Sequence, residues 1–179
     1  IGEMRQLTSY DALDFTEDDY YRLIAAKTAS LMSAACEMGA LAGDERLRST
    51  LSAYGHNLGM AFQIADDLLD YMGSEAVTGK PTGHDLRERK VTLPLVGALA
   101  HANDEEDREI RRFFTRVDPS DDEIQGIIDI VERRGGLAYA QERARHYAEQ
   151  AEEALAGMPD GPSVDALRDA VSYAVDRRR

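Results

Sequence analysis

The stretch Leu58-Gly59-Met60-Ala61-Phe62-Gln63-Ile64-Ala65-Asp66-Asp67-Leu68-Leu69-Asp70-Tyr71-Met72 places three aspartates close together in an otherwise apolar run. At about 100° per residue on a helix, with Gln63 as origin, Asp66 falls at about −60°, Asp67 at about +40° and Asp70 at about −20°. The acids therefore share one stripe, with Gly59 and His56 in the same arc, and apolar side chains cover most of the remainder. A solvated helix face is the plain alternative. Two features weigh against it. Asp is a poor residue in a helix interior, where an exposed face would carry Glu, Lys or Arg in i,i+4 pairs. No basic residue lies on the stripe, so the carboxylates repel one another until a cation neutralises them or one takes up a proton. Hard divalent cations take oxygen donors, and Mg²⁺ binds through one or two carboxylates together with substrate phosphates and water. Asp66 and Asp70, one turn apart, suit such an ion. The spacing lacks the glycine and terminal Glu of a calcium loop, and the absence of any Glu-x-x-His argues against a di-iron bundle.

The basic residues are lopsided: 18 Arg and three Lys, namely Lys27, Lys80 and Lys90. Lys27 is the single charge in Leu23–Cys36, a run so apolar that it reads as a buried helix, in which an ammonium would need a counter-charge. Lys80 and Lys90 flank the segment that follows the acidic helix. A compact ammonium is a point charge suited to phosphate oxygens, and Gly79-Lys80-Pro81-Thr82-Gly83-His84-Asp85 has the glycines for close backbone approach. From the residues alone, the chemistry is a Mg²⁺–phosphate site.

The elements that must position these groups are helical. Pro is scarce (5), β-branched runs are rare, and Ala, Leu, Arg and Glu dominate. Thr16 opens a helix that runs to Ala42, with Gly43 as its stop; Asp44 begins the next, carried to Met72 with Gly73 at its end. Residues 74–91 read as the longest non-helical stretch. Thr92 and Pro94 open a short helix to about Ala102, and further helices follow at about 104–116, 121–134, 137–157 and 163–177. With no repeat, linker or low-complexity segment, the 179 residues read as one all-α bundle. Cys36 and Met38 are expected in the core, and His56 beneath the site.

Hydrophobic residues make up 43% and charged residues 31%, enough apolar material for a core. A net charge of −13 repels a phosphate backbone, which argues against nucleic-acid binding. No apolar run approaches the ~18–20 residues that cross a bilayer. Ile1–Arg5 lacks the pattern of a signal peptide, and Cys36 is the one cysteine. The expected compartment is the cytoplasm.

At these residues the sequence resembles the trans-prenyltransferases of the polyprenyl synthetase family. The carrying motifs are Gly2-Glu3 with Gln6, Lys27-Thr28-Ala29, Phe62-Gln63-Ile64-Ala65-Asp66-Asp67-Leu68-Leu69-Asp70, Gly79-Lys80 through Asp85, and Arg89-Lys90-Val91-Thr92-Leu93-Pro94. The resemblance implies an isoprenoid synthase-type helical bundle around a central cavity. Two facing aspartate-rich motifs there hold Mg²⁺ on an allylic diphosphate, which condenses with isopentenyl diphosphate. It makes Asp66, Asp67 and Asp70 the second aspartate-rich motif and the metal ligands, Asp66 foremost. It makes Lys27, Thr28, Gln63, Lys80 and Lys90 the contacts to the allylic diphosphate, with Asp66 and Lys27 as the catalytic pair. All three lysines thus fall on binding positions. The resemblance also implies a homodimer, and a basic C-terminus, here Arg177-Arg178-Arg179, that folds over the site in some members. The family's first aspartate-rich motif and its isopentenyl contacts have no counterpart in these residues. Residues 1–179 are therefore expected to be the C-terminal part of one polyprenyl synthetase domain, with the first half missing and no activity alone. A non-catalytic helical partner subunit, and a terpene cyclase or squalene-type synthase of the same fold, are the rival readings.

Overall fold

Thr16 starts the first long helix by a reciprocal cap. Its hydroxyl accepts from the backbone N–H of Asp19 (3.2 Å), and the Asp19 carboxylate accepts from the Thr16 hydroxyl (2.7 Å) and N–H (3.3 Å). The computed structural model describes residues 12–72 and 82–176. In it this helix runs as α1 (Glu17–Ile24), a π-helical segment Ala25–Ala29, and α2 (Ser30–Ala42). Gly43 ends it, as expected. Asp44 caps a 3₁₀ turn, Glu45–Leu47, by accepting from the N–H of Arg46 (3.1 Å), and α3 (Arg48–Met72) follows. Next come α4 (His84–Arg87), α5 (Leu93–Leu99), α6 (Asp104–Phe114), α7 (Asp121–Arg133), α8 (Gly136–Ala154) and α9 (Pro162–Val175). Among the described residues there is no strand.

The chain divides into two compact units. The first draws on residues 21–65 and 142–176. Its core is formed by Tyr54, Ala61, Ala148, Ala151, Leu155 and Val171, with Val164 beside them. The Tyr54 hydroxyl donates to the Leu167 carbonyl (2.8 Å), tying α3 to α9, and burial pushes the phenol up to about 12. Two glycines bring α3 close to the helix before it. A Cβ at Gly59 would meet Ala29 Cα at 2.5 Å, and one at Gly55 would meet the Met32 carbonyl oxygen at 2.6 Å.

The burial expected of Leu23–Cys36 holds on one side only. Ile24 and Ala29 are buried, but Ala26, Lys27, Ser30, Ala34 and Ala35 are exposed. The open face continues through Leu31 (72% exposed), Met38 (64%) and Leu41 (50%), so Met38 is not a core residue, and Cys36 is only partly buried. Apolar composition marks a helix for burial without saying which described residues cover it.

The second unit draws on residues 12–20, 66–72 and 82–141. Leu86, Leu95, Ile110, Ile127 and Val131 are fully buried at its centre. The stretch expected to be non-helical contains a helical turn, α4, because Gly83 takes φ 76° and lets the chain re-enter a helix at once. A Cβ there would also meet Ile124 Cγ2 at 2.4 Å.

Capping boxes at Asn103/Glu106 and Ser120/Glu123 start α6 and α7. Glu106 also accepts from Arg134 (2.6 Å) and Arg133 (3.3 Å). The Arg134 hydrogen bond, followed by the Asn103 N–H, holds its carboxyl below the ordinary Glu range. A carboxyl lowered on folding contributes stability that is present above the unfolded value and lost as pH falls through the folded one. Glu106→Gln should therefore flatten the loss of stability below about pH 4.5. Urea midpoints from about pH 6 to about pH 3 would check this; an unchanged profile would remove Glu106 from the acid response.

Candidate functional site

The two units each carry part of the candidate set. In the first, Lys27 and Thr28 lie in the π-helical segment, where five residues span a turn and the backbone phase shifts. Such segments inside α-helices occur often at functional sites. Sequence pattern gave no sign of it, since Ala-Ala-Lys-Thr-Ala is equally good α-helix. The Thr28 hydroxyl donates to Gln63 Oε1 (2.8 Å), fixing the amide on α3. Lys27 is exposed, not buried, so its ammonium is not the desolvated charge that the apolar run suggested. His56 is likewise exposed rather than packed beneath anything.

In the second unit the three aspartates differ. Asp66 is exposed. Asp67 is 7% exposed, and its Oδ2 accepts from the hydroxyl of Tyr20 at 2.7 Å. Asp70 is half-buried and clasps the start of α4: Oδ1 accepts from the His84 N–H (3.0 Å) and Oδ2 from the Asp85 N–H (2.9 Å). Its backbone carbonyl takes the Gly83 N–H (2.9 Å). Burial raises the Asp70 carboxyl above the usual range, with the two N–H donors working the other way. The acidic stripe thus meets hydroxyl and backbone donors as well as water. Among the described residues, no three His, Cys, Asp or Glu side chains form a cage able to hold a metal unaided. Oxygen donors that hold an ion only together with substrate phosphates and water fit Mg²⁺, and Asp66 is the most open of the three.

Lys90 lies against Glu88 (2.5 Å) and Asp85 (3.3 Å). Burial alone would lower its ammonium, but the hydrogen bonds and charges of Glu88 and Asp85 outweigh that and hold it above its ordinary value. The structure therefore places Lys90 in a carboxylate pair, and any phosphate must compete for it. Arg89, at φ 55°, turns the chain between these groups. Lys80, Gly2, Glu3, Gln6 and Arg177-Arg178-Arg179 lie outside the described residues.

Sequence reasoning missed Tyr20 as the partner of Asp67, and Glu88 as a partner of Lys90. One signal was present: Tyr20 and Ile24, at i,i+4, mark the buried face of α1, and a buried phenol usually finds a hydrogen-bond partner.

Comparison with known proteins gives the class. The polyprenyl synthetase family model matches residues 1–131, and the chain belongs to that family. A (2E,6E)-farnesyl diphosphate synthase of Mycobacterium bovis is 38% identical over 172 residues, covering 92% of this chain and 48% of the relative. An octaprenyl diphosphate synthase of Escherichia coli K12 is 37% identical over 182 residues, covering 99% and 55%. Among solved structures, a polyprenyl synthase from Caulobacter crescentus CB15, complexed with calcium and isoprenyl diphosphate, superposes with a TM-score of 0.92 at 37% identity. That match covers 99% of this chain and 55% of the other. The all-α fold is therefore of the isoprenoid synthase type, and the chain spans about half the length of the curated relatives it matches.

Proposed function

We propose that this chain carries the allylic-diphosphate side of a prenyl chain-elongating transferase, with Asp66 as the principal metal ligand. The observation that most supports the reading is the placement of Gln63 and Asp66 on one helix, α3. Gln63 there is fixed by Thr28, and the stripe goes on to Asp67 and Asp70. Lys27, Thr28, Gln63, Lys80 and Lys90 bind diphosphate oxygens; Asp67 and Asp70 complete the acidic motif. In the reaction the allylic C–O bond breaks and its electron pair leaves with the diphosphate. The double bond of isopentenyl diphosphate then forms the new C–C bond to the allylic carbon, and a proton is lost. Mg²⁺ held by Asp66 together with the phosphates would neutralise charge that develops on the departing diphosphate. The lysines share that task, and they do so better where water is excluded.

The relatives named above range from farnesyl to octaprenyl synthases at 38% and 37% identity, so the proposal stands at chain elongation rather than at one product length. It carries with it a cytoplasmic homodimer. Among the described residues no helix is long and apolar enough to cross a membrane. The test is to give the full-length protein geranyl diphosphate, isopentenyl diphosphate and Mg²⁺, and to analyse products by mass spectrometry. Longer prenyl diphosphates that require isopentenyl diphosphate are expected. A hydrocarbon formed from the allylic substrate alone would make the protein a cyclase. No product at all would leave it a non-catalytic partner.

A further inference from the structure

By residue type, the stripe is three like carboxylates, yet the structure gives each different surroundings, and Asp67 is the one turned inward. It is 7% exposed and its Oδ2 lies 2.7 Å from the Tyr20 hydroxyl. Tyr20 is itself 1% exposed. The phenol is held in place from its own side. It sits in the first turn of α1, its N–H donates to the Thr16 carbonyl (3.0 Å), and the Thr16–Asp19 cap fixes where that helix begins. The Tyr20 hydroxyl and the Asp67 carboxyl meet away from water, where a hydrogen bond is electrostatically stronger than in the open.

A buried carboxyl that loses a donor is left under-satisfied and is freer to turn toward solvent. Turned outward, Asp67 would stand beside Asp66 as a second negative charge at the metal-facing edge. Kept inward, it anchors the helix, and because neighbouring residues are about 100° apart, it sets the direction in which Asp66 points. A hydroxyl does this without bringing a cation that would compete with a metal for the stripe.

We propose that Tyr20 is a positioning residue for the acidic motif: it holds Asp67 inward, so that Asp66 alone of that adjacent pair is presented to the metal–diphosphate. This rests on the functional reading above, and it gives Asp67 a different task from its neighbours. Groups that orient a metal ligand without touching the ion typically change metal affinity or activity by about 10- to 100-fold when removed.

The experiment uses the full-length protein with inorganic pyrophosphate and Mg²⁺ or Mn²⁺ as probes. Metal-dependent pyrophosphate binding is followed by calorimetry, alongside kcat and KM. Tyr20→Phe keeps the ring and removes only the donor. It should raise the half-saturating metal concentration about tenfold and lower kcat, while the KM for isopentenyl diphosphate stays unchanged. Asp67→Asn removes the acceptor charge and should give a shift of the same size. Tyr20→Phe added to Asp67→Asn should change metal binding no further. If Tyr20→Phe fails to fold, unchanged metal binding in Asp67→Asn overturns the positioning role on its own. Unchanged metal-dependent binding in both single variants, or effects that multiply in the double variant, would overturn the positioning role and leave the transferase reading standing. A wild-type protein that binds no metal-pyrophosphate would overturn that reading itself, and this one with it.

Discussion

Replacing Asp66 by alanine in the full-length protein should lower turnover by about two to three orders of magnitude, with little change in fold stability. Asp66 is exposed on α3, so its side chain contributes little packing. Its proposed work is done only as the diphosphate departs, where metal-mediated charge stabilisation is worth several kcal/mol, and about 1.4 kcal/mol is a factor of ten. Asp70→Ala should cost less in kcat. Both Asp70 oxygens receive backbone N–H groups of α4, so its loss first loosens Gly83-His84-Asp85. Steady-state kinetics at saturating Mg²⁺ separates the two. Near-normal turnover in Asp66→Ala would mean that another group holds the metal.

A second large effect is expected at a residue with no side chain. Gly59→Ala should gain about 1 kcal/mol in helix propensity on α3. The added methyl, however, would stand 2.5 Å from Ala29 Cα, which is backbone and cannot rotate away. Overpacking of this kind costs roughly 1–3 kcal/mol, and a contact with main chain belongs at the upper end. The net loss is then about 1–2 kcal/mol, or a melting temperature lower by about 2–8 °C for a chain of this size. Gly59→Val should be worse. Ala29 follows Thr28 directly, so the same shift should stretch the Thr28–Gln63 hydrogen bond and raise the KM for the allylic diphosphate severalfold. Scanning fluorimetry and kinetics on the same samples would check both. A Gly59→Ala protein as stable as the wild type would show that the π-helical segment yields without cost.

The helices were largely legible in the sequence because their signals are local. Thr16, Asp44 and Ser120 sit where caps must sit, and Gly43 where a helix must stop. The helical turn at His84 was hidden because it is too short to show a period and depends on one left-handed glycine, Gly83. The π-helical segment was hidden for a different reason: Ala-Ala-Lys-Thr-Ala is equally good α-helix, and composition carries no trace of the shifted backbone. The acidic stripe could be found by spacing, but not the separate surroundings of its members. The hydroxyl that Asp67 meets belongs to Tyr20, 47 residues earlier in the chain. Lys90 was legible as a phosphate-type lysine, whereas its hold by Glu88 and Asp85 needed the turn at Arg89.

The open side of α2 has a thermodynamic consequence. Leu31, Met38 and Leu41 face solvent on one helix, and a body that covers them in that arrangement stabilises the fold as far as it binds the folded chain in preference to the unfolded one. By mass action such a body adds to stability in proportion to the logarithm of its concentration. Where that body is a second copy of the chain, the melting temperature becomes a property of the mixture as well as of the sequence. It should climb as protein concentration rises, and two variants are comparable only when measured at the same concentration.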